Sequence, residues 1–273
     1  MIVSRTRIAF NYAFLGLFSF LAVAPLVGIA LMALRDPEIG GTRLVLDTGL
    51  HLENLERAWV TGGFEASIRS SLIVVFTVVP ISCVLSVMAG YAFGAMRFRG
   101  SDVLFMSLLI GLVLPQEATI IPLFYGFNAL RLTDTYWALI LPQIGQSLAF
   151  GAFWMRAFFR SVPSELVDAA RIDGAGPMTT LWRVLVPIGR PAITSMAVLF
   201  FLWTWNDFLL ALVLVSSEDV RTAPVGLTFF RGRYATEWTL LAAASLFVAL
   251  PVLIVYVFMQ RHFIRGVLGG AIR

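Results

Sequence analysis

The sequence predicts an all-α membrane protein, six transmembrane helices with a charged cytoplasmic loop between the fourth and the fifth. Three observations predict it. Of the 273 residues, 59% are hydrophobic and only 13% charged, at a mean hydropathy of +0.87, whereas soluble domains carry about a quarter charged residues. So little polar surface cannot face water all round, and a bilayer must cover most of the chain. Six apolar runs reach the roughly 20 residues that crossing ~30 Å of hydrocarbon requires. The arginines divide between alternate loops in the way that orients membrane proteins.

The spans fall at about 9–33, 68–95, 103–127, 137–159, 192–216 and 239–260. The first begins after Arg5 and Arg7 and contains Ala22-Val23-Ala24, which could be read as a cleavable leader. Its apolar stretch continues past Pro25 to Leu34, longer than the 7–15 residues of a leader core, which favours a retained span. Gln143, Gly145, Gln146 and Gly151 interrupt the fourth, and the fifth and sixth follow the charged loop. The outer loops differ: 35–66 is the longest, 128–136 a tight turn, and 217–238 ends in Arg231, Arg233 and Glu237. With no low-complexity stretch, residues 1–273 are expected to form one membrane domain.

With the N-terminus placed in the cytoplasm, twelve arginines lie inside and eight outside. Ten acidic residues lie outside, four inside (Asp102, Glu165, Asp168 and Asp173), and Glu117 and Asp207 fall within spans. Both tallies put both termini in the cytoplasm. All twenty basic residues are arginine. They are scattered over short loops rather than gathered with aromatics, so nucleic acid is not an expected partner. Without lysine the chain cannot build a P-loop, so any ATP chemistry belongs to another subunit. Cys83 is alone in an apolar run, and His51 and His262 are far apart in sequence, which leaves no metal set and no disulfide framework.

The loop at 163–190 reads as a hinged helix pair. Pro163-Ser164-Glu165 starts a helix, with an acid where the dipole favours one, and it runs to about Ile172. Gly174 and Gly176 permit a sharp turn, Pro177 opens a second helix to about Leu185, and Pro187 and Pro191 are expected to stop it. Ala169 and Ala170 keep one side thin, and Leu166, Val167 and Ile172 supply apolar grip. Such a surface suits a groove on a partner. An ordinary amphipathic connector resting on the bilayer fits the same physics.

The spacing Asp168-Ala169-Ala170, Gly174, Val184, Val186, Pro187 resembles the EAA motif of ATP-binding cassette (ABC) importer permeases. Asp168 stands where the family usually has Glu, keeping the charge on a shorter reach, and Val186 stands where Leu is common. The likeness extends through IRSSLIVVF (68–76), GYAFGAMRFRG (90–100), residues 114–142, WNDFLLAL (205–212) and the tail RGVLGGAIR (265–273). Together these are similar to the carbohydrate-type, MalG-like branch. The resemblance implies a bacterial inner-membrane permease paired with a homologous second permease, two ATPase subunits and an extracytoplasmic solute-binding protein. ATP and Mg would sit on the ATPases and no cofactor on this chain. Glu165, Asp168, Ala169, Ala170, Asp173, Gly174, Ala175 and Pro187 would form the ATPase-coupling segment. The solute would be a sugar, a polyol or a glycerol phosphate.

Polar groups inside spans are costly and face a cavity or a partner. Gln116, Glu117, Gln143, Asn206 and Asp207 are therefore candidates for a translocation path, with Gln146 and Thr204 behind them. Trp203, Trp205, Phe208 and Tyr125 are candidate aromatic faces for a hydroxyl-rich solute. Asn206 and Asp207 serve equally well as caps of a broken helix or as bonds across helices. Trp59, Trp137 and Trp238 read as interface anchors, and Ala89, Gly90 and Ala92 as a place where helices approach. Two other classes compete: an ion-driven secondary transporter, which would want carboxylates deep in several spans and an internal repeat, and a membrane enzyme, for which no nucleophile motif is present.

Overall fold

The computed structural model describes residues 5–36, 49–232 and 236–268. Of the charges tallied above, Glu38, Arg43, Asp47, Arg233 and Arg273 lie outside the described residues, as do the last five residues of the family-like tail. Among the described residues the only regular structure is helical, apart from one isolated antiparallel bridge between Arg231 and Thr236. In hydrocarbon a chain must bond its own backbone groups, and a helix does this within one segment.

Among the described residues four helices are long and apolar enough to cross a membrane: α1 (Arg5–Ala33), α3 (Phe64–Ala95), α6 (Tyr136–Ser161) and α12 (Trp238–Leu268). Pro25, Pro80, Pro142 and Pro251 lie inside them without ending them. The count rises to six if each of two bent pairs is one crossing. Gln143, Gly145, Gln146 and Gly151, which looked like interruptions, all lie within the continuous α6. The long loop expected at 35–66 contains a short helix, α2 (Glu53–Thr61), with Glu53 and Glu56 in its first turn.

The third apolar run is not one helix. It forms α4 (Ser101–Val113) and α5 (Gln116–Ala129), bent by 99°. Leu114 turns extended (ψ 122°) ahead of Pro115, which is itself extended (ψ 135°), because a proline ring disfavours helical backbone in the residue before it. The fifth run is also broken, into α9 (Arg190–Asn206) and α10 (Leu209–Leu214), with Asp207 extended between them. Ahead of α9, the helix α8 (Pro177–Ile188) meets it at 81°. The expected stop at Pro187 is not there. Residues 180–185 widen into a π turn and the helix continues through Pro187 to Ile188. Proline lacks an N–H and crowds the carbonyl four residues back, and a π turn is one way a helix absorbs that. Pro191 begins α9 instead of ending α8. After α10, residues Ala223–Gly226 form one helical turn, α11.

The chain divides into two compact units. In the unit of Met1–Glu65 with Gly226–Leu250, Asn54 Nδ2 donates to the carbonyls of Ala33 (3.1 Å) and Arg35 (2.8 Å), and Arg35 Nε donates to Thr239 Oγ1 (3.3 Å). Arg35, counted above as a loop charge, is buried. Phe64 stacks on Phe230, and Phe247 packs against both Trp59 and Phe64.

The unit of Ala66–Val225 with Pro251–Arg273 holds two apolar cores. One gathers Val74 and Val78 of α3, Leu139 of α6 and Leu210 and Leu214 of α10. The other gathers Tyr91 of α3, Met155 and Phe159 of α6, Leu181 and Leu185 of α8 and Phe200 of α9. At the second core α3 and α6 approach closely. A Cβ at Gly90 would fall on Met155, and one at Gly151 on Ser86 and the Phe200 ring. The expected close approach at Gly90 is real, with Ala89 and Ala92 half-buried beside it.

The turn between α5 and α6 is pinned by Asp134. Its N–H donates to the Leu214 carbonyl (2.8 Å), and its Oδ1 accepts from the N–H groups of Ser216 (2.9 Å) and Ser217 (2.8 Å). Its φ of 61° is a conformation that Asp and Asn tolerate. The Ser217 and then the Ser216 N–H hold the carboxyl below its ordinary value, about 3.9. A depressed carboxyl stabilises the fold in full above its unfolded pKa and loses that contribution as pH falls through its folded one. Asp134→Asn, which keeps the backbone preference, should therefore melt below wild type at pH 7, and the two melting curves should converge as pH falls below about 3.9.

Candidate functional site

The charged loop forms α7 (Ser164–Ile172), with Pro163 extended ahead of it, Glu165 in its first turn and Arg171 in its last. It ends in a Schellman motif. Ala175 N–H donates to Ala170 O (2.9 Å) and Gly174 N–H to Arg171 O (3.0 Å), while Gly174 takes φ +79°. That closure favours glycine at 174. Gly176, expected to share the role, is ordinary extended backbone (φ −71°, ψ 167°).

Glu165, Asp168, Ala169, Asp173, Gly174 and Pro187 are exposed, Ala175 is half-buried and Ala170 is buried. Asp168 pairs with Arg171 at 3.3 Å across one turn, worth only a few tenths of a kcal/mol on an exposed helix. Ile172 is 86% exposed, and Leu166, Met178 and Trp182 also show apolar surface. Val167, expected among them, turns inward onto the second core. Beside α7 lies a recess of about 980 Å³ whose lining includes Arg97, Arg160, Arg171, Asp102 and Asp168. Arg156, read from the sequence as a loop charge, is packed. Its Nε donates to the Phe93 carbonyl (3.2 Å), and its guanidinium lies 3.8 Å from the Phe105 ring centre.

A second feature lies where both broken runs come apart. Gln116, Glu117, Gln143, Asn206 and Asp207, singled out by polarity alone, all line one cavity of about 570 Å³, together with Gln146, Ser147, Thr204, Trp203 and Phe208. Pro115 ends the bend, so Gln116 and Glu117 occupy the first turn of α5, where the helix dipole favours an anion. Gln116 Nε2 donates to Asp207 Oδ2 (3.1 Å), joining one break to the other. Asn206 Nδ2 donates to Leu202 O (2.8 Å) within α9. Asp207 Oδ1 and Gln143 Oε1 are buried with no hydrogen-bond partner, and Gln143 is only 6% exposed.

Of the four candidate aromatics, Trp203 (45% exposed) and Phe208 (39%) face the cavity. Trp205 is 1% exposed and stacked on Phe201, and Tyr125 is exposed but is not part of the lining. No group of three or more His, Cys, Asp or Glu is placed to hold a metal among the described residues.

Several apolar helices around a polar cavity, with an exposed hinged helix on a connecting loop, define a membrane transport subunit. The chain belongs to the family of binding-protein-dependent transport system inner membrane components, whose model matches residues 83–269. It is 34% identical to the arabinooligosaccharides transport system permease protein AraQ of Halalkalibacterium halodurans, over 93% of this chain and 92% of that protein. It is 30% identical to the diacetylchitobiose uptake system permease protein NgcG of Streptomyces coelicolor, over 98% and 90%. Its fold matches a solved bacterial ABC transporter involved in the import of the acidic polysaccharide alginate, at a TM-score of 0.78 and 24% identity over 96% of this chain and 99% of that one. The protein is thus a permease subunit of an ABC importer and an inner-membrane component. An ion-driven secondary transporter is not supported.

Proposed function

We propose that this permease passes a hydroxyl-rich solute, a sugar or a related polyol, from an extracytoplasmic binding protein into the bacterial cytoplasm. In this reading residues 1–273 form one membrane domain of six spans with both termini cytoplasmic, paired with a homologous second permease above two ATPase subunits. ATP and Mg bind the ATPases, and this chain, without lysine, takes no part in hydrolysis. The loop at 163–190 is the coupling segment, seated in a cleft of one ATPase, and the cavity at the two breaks belongs to the solute path. Movement of α7 and α8 on ATP-driven closure would rock the spans between outward- and inward-open states. Two distant sites are then linked through one element with two positions.

The observation that carries the coupling role is the turn after α7, which presents Ile172, Asp173 and Gly174 as an apolar and acidic tip on a rigid closure. Support for the solute class comes from the relatives named for oligosaccharide uptake and from amide, carboxylate and aromatic groups sharing one cavity. The test is reconstitution with the partner subunits. Solute-loaded binding protein should stimulate ATP hydrolysis and drive uptake, and this chain alone should do neither. Asp168→Glu should keep most of the stimulation, whereas Asp168→Lys, which reverses the charge offered to the ATPase, should reduce it by tenfold or more, on the order of 1.4 kcal/mol of coupling. Equal activity of the two variants would remove Asp168 from the docking surface.

A further inference from the structure

Resting on the carbohydrate reading, we infer that the cavity at the two helix breaks selects solutes by charge, admitting neutral polyhydroxylated ones and turning away those carrying a carboxylate or phosphate. Among the described residues the charged groups lining it are Glu117 and Asp207, with no arginine or histidine. Two of its donors are engaged, the Gln116 amide on Asp207 and the Asn206 amide on Leu202, while the Gln146 amide and the Ser147 and Thr204 hydroxyls share the lining. Two buried acceptors in the lining have no hydrogen-bond partner: Gln143 Oε1, on a side chain 94% buried, and Asp207 Oδ1.

Unmatched buried acceptors seek donors, and a hydroxyl is a neutral group that brings one. A solute carboxylate or phosphate brings further acceptors and a like charge. At 4–6 Å in a partly desolvated site, the repulsion from even one wall carboxylate exceeds a tenfold discrimination. The exposed faces of Trp203 and Phe208 lie in the same lining and offer the C–H surface of a sugar ring an apolar platform without adding charge. At about 570 Å³ the cavity is of a size with sites for small oligosaccharides. The alginate importer that shares the fold is involved in importing an acidic polysaccharide. The charge rule therefore belongs to this chain's side chains and not to the architecture.

The experiment uses the complete importer in proteoliposomes. Arabinotriose and diacetylchitobiose are each supplied beside the same sugar oxidised to a uronate at one primary hydroxyl, at concentrations that saturate the binding protein. Wild type should take up a neutral sugar at least about tenfold faster than its uronate. Glu117→Gln, at an exposed position where folding is not at risk, should shrink that ratio several-fold, and Glu117→Gln with Asp207→Asn should bring it close to one. Equal uptake of neutral and uronate forms by wild type, or a ratio unmoved by both variants, overturns the charge rule while leaving the carbohydrate reading standing. Failure to take up either neutral sugar overturns the carbohydrate reading, and the charge rule with it.

Discussion

Gly174→Trp is expected to abolish the stimulation of ATP hydrolysis by solute-loaded binding protein, with uptake falling more than tenfold, while the chain still inserts in the membrane. The backbone at Gly174 is left-handed (φ +79°), and nothing lies within 4 Å of where a Cβ would stand. The direct cost of a side chain there is thus the left-handed strain alone, about 1–2 kcal/mol, too little to unfold a protein. A large loss of coupling from a substitution that the chain itself can hold would come from the surface that receives the turn. Gly174→Asn separates the two effects, since Asn tolerates the conformation and is small, and it should retain most of the stimulation. Wild-type uptake by Gly174→Trp would place the coupling turn elsewhere.

Gly151→Val is expected to act at an earlier stage, leaving little or no folded permease. A Cβ at 151 would overlap the Ser86 side chain and press on the Phe200 ring, and all three are buried. Relief requires α3 and α6 to separate where they approach closely, and overpacking of this kind costs about 1–3 kcal/mol or more. The check is the yield of monodisperse complex in detergent and its melting temperature. Gly151→Ala combined with Ser86→Gly removes the main overlap and should recover part of the yield, whereas Gly126→Ala, with open space around it, should be neutral. Normal yield and melting of Gly151→Val would mean that the two helices do not meet there.

Much of this was legible in the sequence because a bilayer leaves few options. Apolar runs must be helical, so composition located α1, α3, α6 and α12 closely, and the proline and glycine signals placed the end of α7 at Ile172. The five polar candidates gathered at one cavity because polar groups in apolar helices are scarce and are not tolerated facing lipid. What stayed hidden depends on local backbone and on helix face. Pro115 accompanies a break while Pro80, Pro142 and Pro251 lie inside helices, and the difference depends on whether neighbouring groups absorb the freed carbonyl, which hydropathy does not record. Trp203 and Trp205 look alike in sequence. Positions i and i+2 of a helix lie about 200° apart around its axis, so one faces the cavity and the other is sealed in the core. Arg35 and Arg156 were counted as loop charges, yet each bonds a buried or half-buried partner.

The two interruptions also have a mechanical consequence. An unbroken helix carries rotation along its whole length, as a shaft does, but a shaft cut at Asp207 and Phe208 does not. In the proposed coupling, a displacement entering at α8 would be handed to α9 through the 81° elbow at Gly189. Past Asn206 the backbone continues through a two-residue link whose Asp207 accepts from Gln116, and α9 and α10 each also pack on α6. On the far side α10 is moored, with the Leu214 carbonyl and the residues after it held by Asp134. The fifth apolar run is therefore a jointed element rather than a single rod, and the cavity sits at its joint.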